Sequence, residues 1–287
     1  MPMTPFDLLR QEFVQNAFLS GTIIAVVSGI VGYFIILRGQ AFATETLSHV
    51  GFAGAAGAAV IGINSLVGMF FLTLITAAGM GTLGKRLKGR DVEVGMVLSF
   101  MLGLGVLFLS LYTQNASHAM NLLFGSILSV TREDVIITLG SSAVVLITLI
   151  VLYRPLLFAS LDPVVAEARG VPVQFLSILF LLVLALTVSQ AVEVVGTLLV
   201  FALLIVPAAS AVHLTSRPFS ALILAVAISL FSTWGGLVLS LIGHQPASFY
   251  IVAITSLFYV FSRIFRRFYY PRRYREPLHP SRDIGNF

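Results

Sequence analysis

The chain alternates long apolar runs with short polar breaks. The runs Ala17–Leu37, Ser65–Leu83, Val92–Tyr112, Val135–Tyr153, Val173–Ser189, Val194–His213, Phe219–Ile242 and Ala247–Phe265 are apolar nearly throughout. About 20 such residues in a helix cross the hydrocarbon core of a bilayer. Between the first two runs, a polar knot at Thr44–His49 leads into a glycine- and alanine-rich segment ending near Ile63. Whether Thr46–Ile63 crosses fully decides between eight and nine spans. In the mixed region 113–131, Asn115, His118 and Asn121 surround the apolar stretch Leu122–Val130, which is too short to cross and reads as re-entrant or interfacial. The pattern predicts an all-α polytopic membrane protein of 8–9 transmembrane helices.

Composition sharpens this picture. Apolar residues make up 58% of the chain and charged residues 10%, whereas a soluble domain carries about 25% charged residues. Mean hydropathy is +1.00. The net charge of +5 invites a nucleic-acid reading, but the distribution argues against it. Ten of the 17 basic residues fall in two clusters, Lys85, Arg86, Lys88, Arg90 and Arg263, Arg266, Arg267, Arg272, Arg273, Arg275. Both flank apolar runs, as cytoplasmic loops do under the positive-inside rule. On that basis the loop 154–172 lies inside and 113–131 outside. With no cysteine, disulfides and thiolate metal sites are excluded. The expected organisation is an amphipathic lead-in at 1–16, which does not read as a cleaved signal, one transmembrane domain at 17–265, and a basic cytoplasmic tail at 266–287.

Candidate chemistry concentrates in RGQAFATETLSHVGFAGAAGA, Arg38 to Ala58. Glu45 and His49 are four residues apart, so in a helix they share one face. A carboxylate and an imidazole so placed can chelate a divalent transition metal. The competing reading is a helix N-terminus with an acid in its first turn and a histidine nearby. Two ligands are fewer than zinc or manganese usually takes. Asn64, Thr44 or Ser48 could complete the set, or a two-fold dimer could bring two Glu-His pairs together. Glu193, between two predicted spans, reads as a solvated loop acid. His213 reads as facing the cytoplasmic interface, and His118 and His244 fall in segments placed outside.

Four further stretches carry information. Gly51, Gly54, Ala55, Ala58 and Gly62 make a small-residue face on which helices can pack closely in lipid. Gly79–Lys85 imitates a phosphate-binding GxxxxGK loop, but Arg86 replaces the Ser/Thr that would hold magnesium and no strand precedes it. Nucleotide binding by this chain is therefore rejected. In LDPVVAEARGVPV, Asp162 and Pro163 have the form of an N-cap and first helical residue, and Gly170 that of a stop. A short cytoplasmic helix there suits docking of a partner or a plain connector. In VGTLLVFALLIVPAASA, Gly196 offers a narrow face and Pro207 permits a kink.

Taken together these stretches resemble the permease subunits of ABC importers for zinc and manganese. RGQAFATETLSHVGFAG is similar to that family's RG-x-A-x-x-GDALSHA-x-(L/F)-PG pattern, keeping Arg38, Gly39, Ala41, Leu47, Ser48, His49 and Gly54, with Glu45 at the aspartate position, Thr44 at the glycine and Ala53 at the proline. VGTLLVFALLIVPAASA and LDPVVAEARGVPV resemble two further family motifs, the latter keeping Asp162, Pro163, Ala166 and Gly170. FGSIL, Phe124–Leu128, resembles a fourth, with Ser126 in place of an acid. The resemblance implies a homodimer in the plasma (inner) membrane of a prokaryote. It also implies two copies of an ATPase subunit and an extracytoplasmic metal-binding lipoprotein. Glu45 and His49 then contact the transported ion, Zn2+ or Mn2+. Asp162, Pro163, Ala166, Arg169 and Gly170 form the ATPase-docking element. Arg38, Gly39, Ser48, Gly196 and Pro207 serve pathway and helix packing. No covalently bound cofactor and no covalent chemistry are implied. The alternative is an ion- or proton-coupled secondary metal transporter using Glu45 and Glu193 as proton carriers.

Overall fold

The structure is a computed structural model that describes residues 11–82, 91–111, 125, 127–243 and 245–269. Its helices are α1 (Glu12–Arg38), α2 (Ala41–Val60), α3 (Ser65–Thr82), α4 (Asp91–Leu111), α5 (Arg132–Leu161), α6 (Pro163–Ala168), α7 (Val173–Val195), α8 (Thr197–Leu214), α9 (Pro218–Gly243) and α10 (Ala247–Tyr269). A 3-10 turn at Ile127–Ser129 precedes α5, and no strand occurs among the described residues. Among the described residues, eight helices are long and apolar enough to cross a membrane. The ninth long one, α2, has 20 residues, about 30 Å of helix. Its length suffices to span, but its threonines, Glu45, His49 and small residues dilute its hydropathy. Protein compensates: from Thr44 to Ala58 most of α2 is buried.

The helix limits depart from the hydropathy limits where hydrogen bonding outlasts apolarity. α1 begins at Glu12, within the segment expected as a lead-in. α5 continues through Arg154 and Pro155 to Leu161, so with α6 most of the expected loop 154–172 is helix. α7 runs on to Val195, which puts Glu193 inside a helix rather than in a loop. α10 carries the start of the expected tail to Tyr269, and residues 270–287 lie outside the described residues.

Long-range contacts sort the helix ends into two groups. Glu12 pairs with Arg132 at 3.1 Å and Asn16 Nδ2 donates to the Val130 carbonyl at 3.3 Å, joining the starts of α1 and α5. Arg38 reaches Ser160 and Ser177, joining the end of α1 to the end of α5 and the start of α7. The second group also holds Arg154, Arg169, Arg217, Arg263, Arg266 and Arg267. By the positive-inside rule it is the cytoplasmic end. All nine long helices then alternate in direction, with α10 ending inside.

Close approach of backbones holds the bundle together. A Cβ on Gly32 of α1 would overlap the Leu204 carbonyl of α8, and one on Gly54 of α2 would lie 2.5 Å from the Gly68 carbonyl of α3. Ala58 and Gly51 complete the α2–α3 contact, so the predicted small-residue face is real. Gly62 is not part of it: α2 stops at Val60, and Gly62 turns the chain with φ of 75°. Hydroxyls buried in this setting bond their own helix, Thr44 to Gln40, Thr46 to Phe42 and Thr73 to Met69 carbonyls among them. Such back-bonding satisfies polar groups where water is absent.

Candidate metal site

Glu45 and His49 lie one turn apart on α2, with His49 Nε2 3.2 Å from Glu45 Oε1. The carboxylate is 30% exposed and the imidazole 12%. Each spends one polar atom on the other. The remaining atoms, Glu45 Oε2 and His49 Nδ1, are buried without a partner among the described residues. Leaving such an atom unsatisfied costs about 1–3 kcal/mol, a cost that a water or an ion would relieve. Two atoms 3.2 Å apart and each about 2.1 Å from one ion subtend roughly 100° there, between the octahedral and tetrahedral ideals.

The other expected ligands do not converge on this pair. Ser48 is buried and donates to the Thr44 carbonyl at 3.1 Å, and Thr44 is used in the same way. Asn64 accepts from Leu66 N–H at 2.9 Å at the start of α3. It lies beyond the far end of α2, more than about 15 Å along the helix axis from His49. Sequence order made it a neighbour, and the straight helix removes it. Among the described residues no group of three or more His, Asp or Glu side chains could hold a metal. Among the described residues, Glu45 and His49 are therefore the two candidate ligands gathered at this place.

Arg38 closes the last turn of α1, and Gly39 follows in the left-handed conformation with φ of 64°. The Gly39 N–H bonds the Ile36 carbonyl and the Gln40 N–H the Ile35 carbonyl, which lets α2 start at once. Arg38 Nη2 donates to Ser177 Oγ at 2.6 Å, Nη1 to Ser160 Oγ at 3.4 Å, and the guanidinium stacks over Phe180. Sequence reading found Arg38 but not these hydroxyls, which lie more than a hundred positions away. Gly196, with φ of 83°, breaks α7 from α8, and the backbone of Gly125 packs against Val195 and Gly196. Two motifs distant in sequence thus meet. Pro207 is buried within an unbroken α8.

The short helix α6 forms as its sequence predicts. Asp162 Oδ1 accepts from the Val165 N–H at 3.0 Å, Pro163 is the first helical residue, and Gly170 has φ of 82°. Its faces divide unevenly. Ala166 is fully buried and anchors the helix, so it is not available to a partner; Leu161, Val164 and Arg169 are exposed. Asp162, too, is occupied as the cap. His213 sits at the inner end with Nδ1 2.8 Å from Arg266. His118, His244 and Ser126 lie outside the described residues. Gly79–Thr82, the start of the GxxxxGK imitation, is α3 helix rather than a loop.

Comparison with known proteins agrees with this architecture. The chain is 33% identical over 262 residues to the manganese transport system membrane protein MntC of Halalkalibacterium halodurans, covering 91% of this chain and 90% of that one. It is 30% identical over 260 residues to the high-affinity zinc uptake system membrane protein ZnuB of Buchnera aphidicola, covering 90% and 99%. The solved structure of PsaBC from Streptococcus pneumoniae in complex with Fab superimposes with a TM-score of 0.81 at 30% identity, over 90% of this chain and 94% of that one. Residues 10–266 match the ABC 3 transport family. The chain is a multi-pass membrane permease of the ABC 3 transport family.

Proposed function

We propose that this chain carries Mn2+ or Zn2+ inward as the permease of an ATP-driven importer, with Glu45 and His49 as its ion contacts. The single observation behind this is the pair itself: spaced as adjacent ligands of one ion, each with a buried, unpartnered atom left over. The relatives named for manganese and for zinc support both ions as cargo. Nitrogen and oxygen donors suit either, and the lack of sulfur disfavours copper. A two-fold dimer supplies the missing ligands by bringing two Glu-His pairs to one axis. ATP is hydrolysed on separate subunits, one copy beneath each α6, and an extracytoplasmic lipoprotein delivers the ion. Closure of the ATPases displaces α6, and the permease alternates between outward and inward access.

Uptake of manganese and zinc by proteoliposomes holding the complete importer tests the assignment. Glu45→Gln with His49→Ala is expected to lower ATP-dependent uptake by at least about 100-fold, beyond what loss of an outer-shell partner does. Unchanged uptake would overturn the ion site. Gradient-driven flux through the chain alone, without ATPase, would instead support the secondary-transporter alternative.

A further inference from the structure

The corner formed by α8, α9 and α10 has a cationic inner end with no acid of its own. These three helices pack on one another, whereas α6 packs on α5 and α7. Between Val194 and Arg275 the chain has no Asp or Glu, so the corner's own elements cannot neutralise its charge. Arg217, just before α9, and Arg263, Arg266 and Arg267, near the end of α10, are all exposed. The ion pairs among the described residues, Glu45–His49 and Glu12–Arg132, involve none of them. Arg263 and Arg267 stand one turn apart on α10, a spacing at which like charges repel. An anion brought from outside the chain relieves that repulsion.

Two features say what kind of anion fits. Arg266 is held in place by a neighbouring helix: its Nη1 lies 2.8 Å from Nδ1 of His213 on α8, and that imidazole packs against the Tyr259 ring, centroids 5.7 Å apart. A guanidinium only donates, so His213 Nδ1 accepts and the ring hydrogen is on Nε2. The second feature is the outward stripe of α10, where Phe261, Ile264, Phe265 and Phe268 stay apolar and exposed beside the arginines. Arg263 and Phe268 differ by about 7.5 Å along the helix axis. The arginines therefore flank a surface made for acyl chains, and their long stems carry the charge to the headgroups next to it. A basic cluster at that depth meets the phosphodiesters of the inner leaflet. The chain beyond Tyr269 does not supply the counter-charge, because Arg272, Arg273, Arg275 and Arg282 outnumber Glu276 and Asp283 there.

We propose that the α8–α9–α10 corner is a docking surface for an anionic phospholipid of the cytoplasmic leaflet. Arg263 and Arg266 hold its phosphodiester, Arg217 and Arg267 add to the attracting field, and its acyl chains lie along the α10 stripe. The inference makes no use of the Glu45–His49 assignment, so either can fail without the other. The full chain in neutral detergent is titrated with dioleoyl phosphatidylglycerol or with dioleoyl phosphatidylcholine, and bound lipid is counted by native mass spectrometry. About tenfold tighter binding of the anionic lipid is expected, with a rise in unfolding temperature that the zwitterionic lipid does not give. Arg263→Gln with Arg266→Gln is expected to bring both lipids to equal affinity, the unfolding temperature without added lipid staying unchanged. Arg263→Lys with Arg266→Lys keeps the charge and is expected to keep most of the preference. Lys85→Gln with Lys88→Gln, which takes the same charge from the other basic cluster, is expected to leave the preference intact. The proposal is overturned by equal affinity for the two lipids in the unaltered chain, or by a preference that survives Arg263→Gln with Arg266→Gln. An equal loss in the Lys85 and Lys88 variant, displacement of the lipid by inorganic phosphate at the same concentration, or a preference that vanishes with Arg272, Arg273 and Arg275 instead would also overturn it.

Discussion

The α2–α3 pair and the α5–α6–α7 hairpin meet opposite mechanical demands. α2 and α3 touch backbone to backbone, with no room for a Cβ on Gly54 or Gly68. α6 carries an Asp162 cap and one buried alanine, and most of its residues lie exposed. The first arrangement fixes α2 against its neighbour; under the proposed function the second is the part that an ATPase displaces. Arg38 is the link. It grips both arms of the hairpin at Ser160 and Ser177 and stands immediately before the Gly39 turn into α2. Under the proposed function, displacement of α6 by an ATPase reaches the Glu45–His49 pair along this route.

Substitutions at the two regions and at the link separate their roles. Gly54→Leu has the largest expected effect, because the clash is with backbone and the helices must part, costing about 3 kcal/mol or more. Metal uptake is expected to vanish and the unfolding temperature of the purified chain to fall; survival of both would show that the tight contact is not what holds the pair. Arg38→Leu removes charge-assisted hydrogen bonds worth about 1.5–3 kcal/mol and a cation–π contact worth about 0.5–1 kcal/mol. The expected result is ATPase subunits that still co-purify and still hydrolyse ATP while uptake drops about tenfold, tenfold corresponding to roughly 1.4 kcal/mol. Loss of co-purification would instead make Arg38 part of the docking element.

Val164→Asp tests the hairpin alone. Val164 is 76% exposed, so the chain's own stability should not change. A charge in an apolar contact is expected to weaken ATPase binding about tenfold, or roughly 1.4 kcal/mol, read by titrating the ATPase onto the chain in nanodiscs. Asp162→Ala is the smallest, since loss of an N-cap costs about 1 kcal/mol. A severalfold weaker ATPase affinity is expected there, with metal binding at α2 untouched. An effect on metal binding would mean that the two regions are not mechanically separate.

Local chemistry made much of this legible in advance. The eight apolar helices, the Asp162-Pro163 start and Gly170 stop of α6, the small-residue face of α2 and the spacing of Glu45 and His49 all follow from hydropathy, caps and the helical repeat. Helix ends were less legible, because hydropathy reports partitioning while the helix follows its hydrogen bonds. That difference moved Glu193 from a loop into α7 and extended α5 past Pro155. Ala166 illustrates a second limit: its motif position gave no sign that it faces inward.

The sequence by itself determined the fold class and the one-turn spacing of Glu45 and His49, since each rests on hydropathy or on residues within one or two helical turns. Only the tertiary structure decided which residues share a site. Arg38 with Ser160 and Ser177, Gly125 with Gly196, and His213 with Arg266 are each brought together by helix packing across long stretches of chain. No local propensity records such pairings, because the energy that selects them comes from burying whole helix faces rather than from the residues that meet.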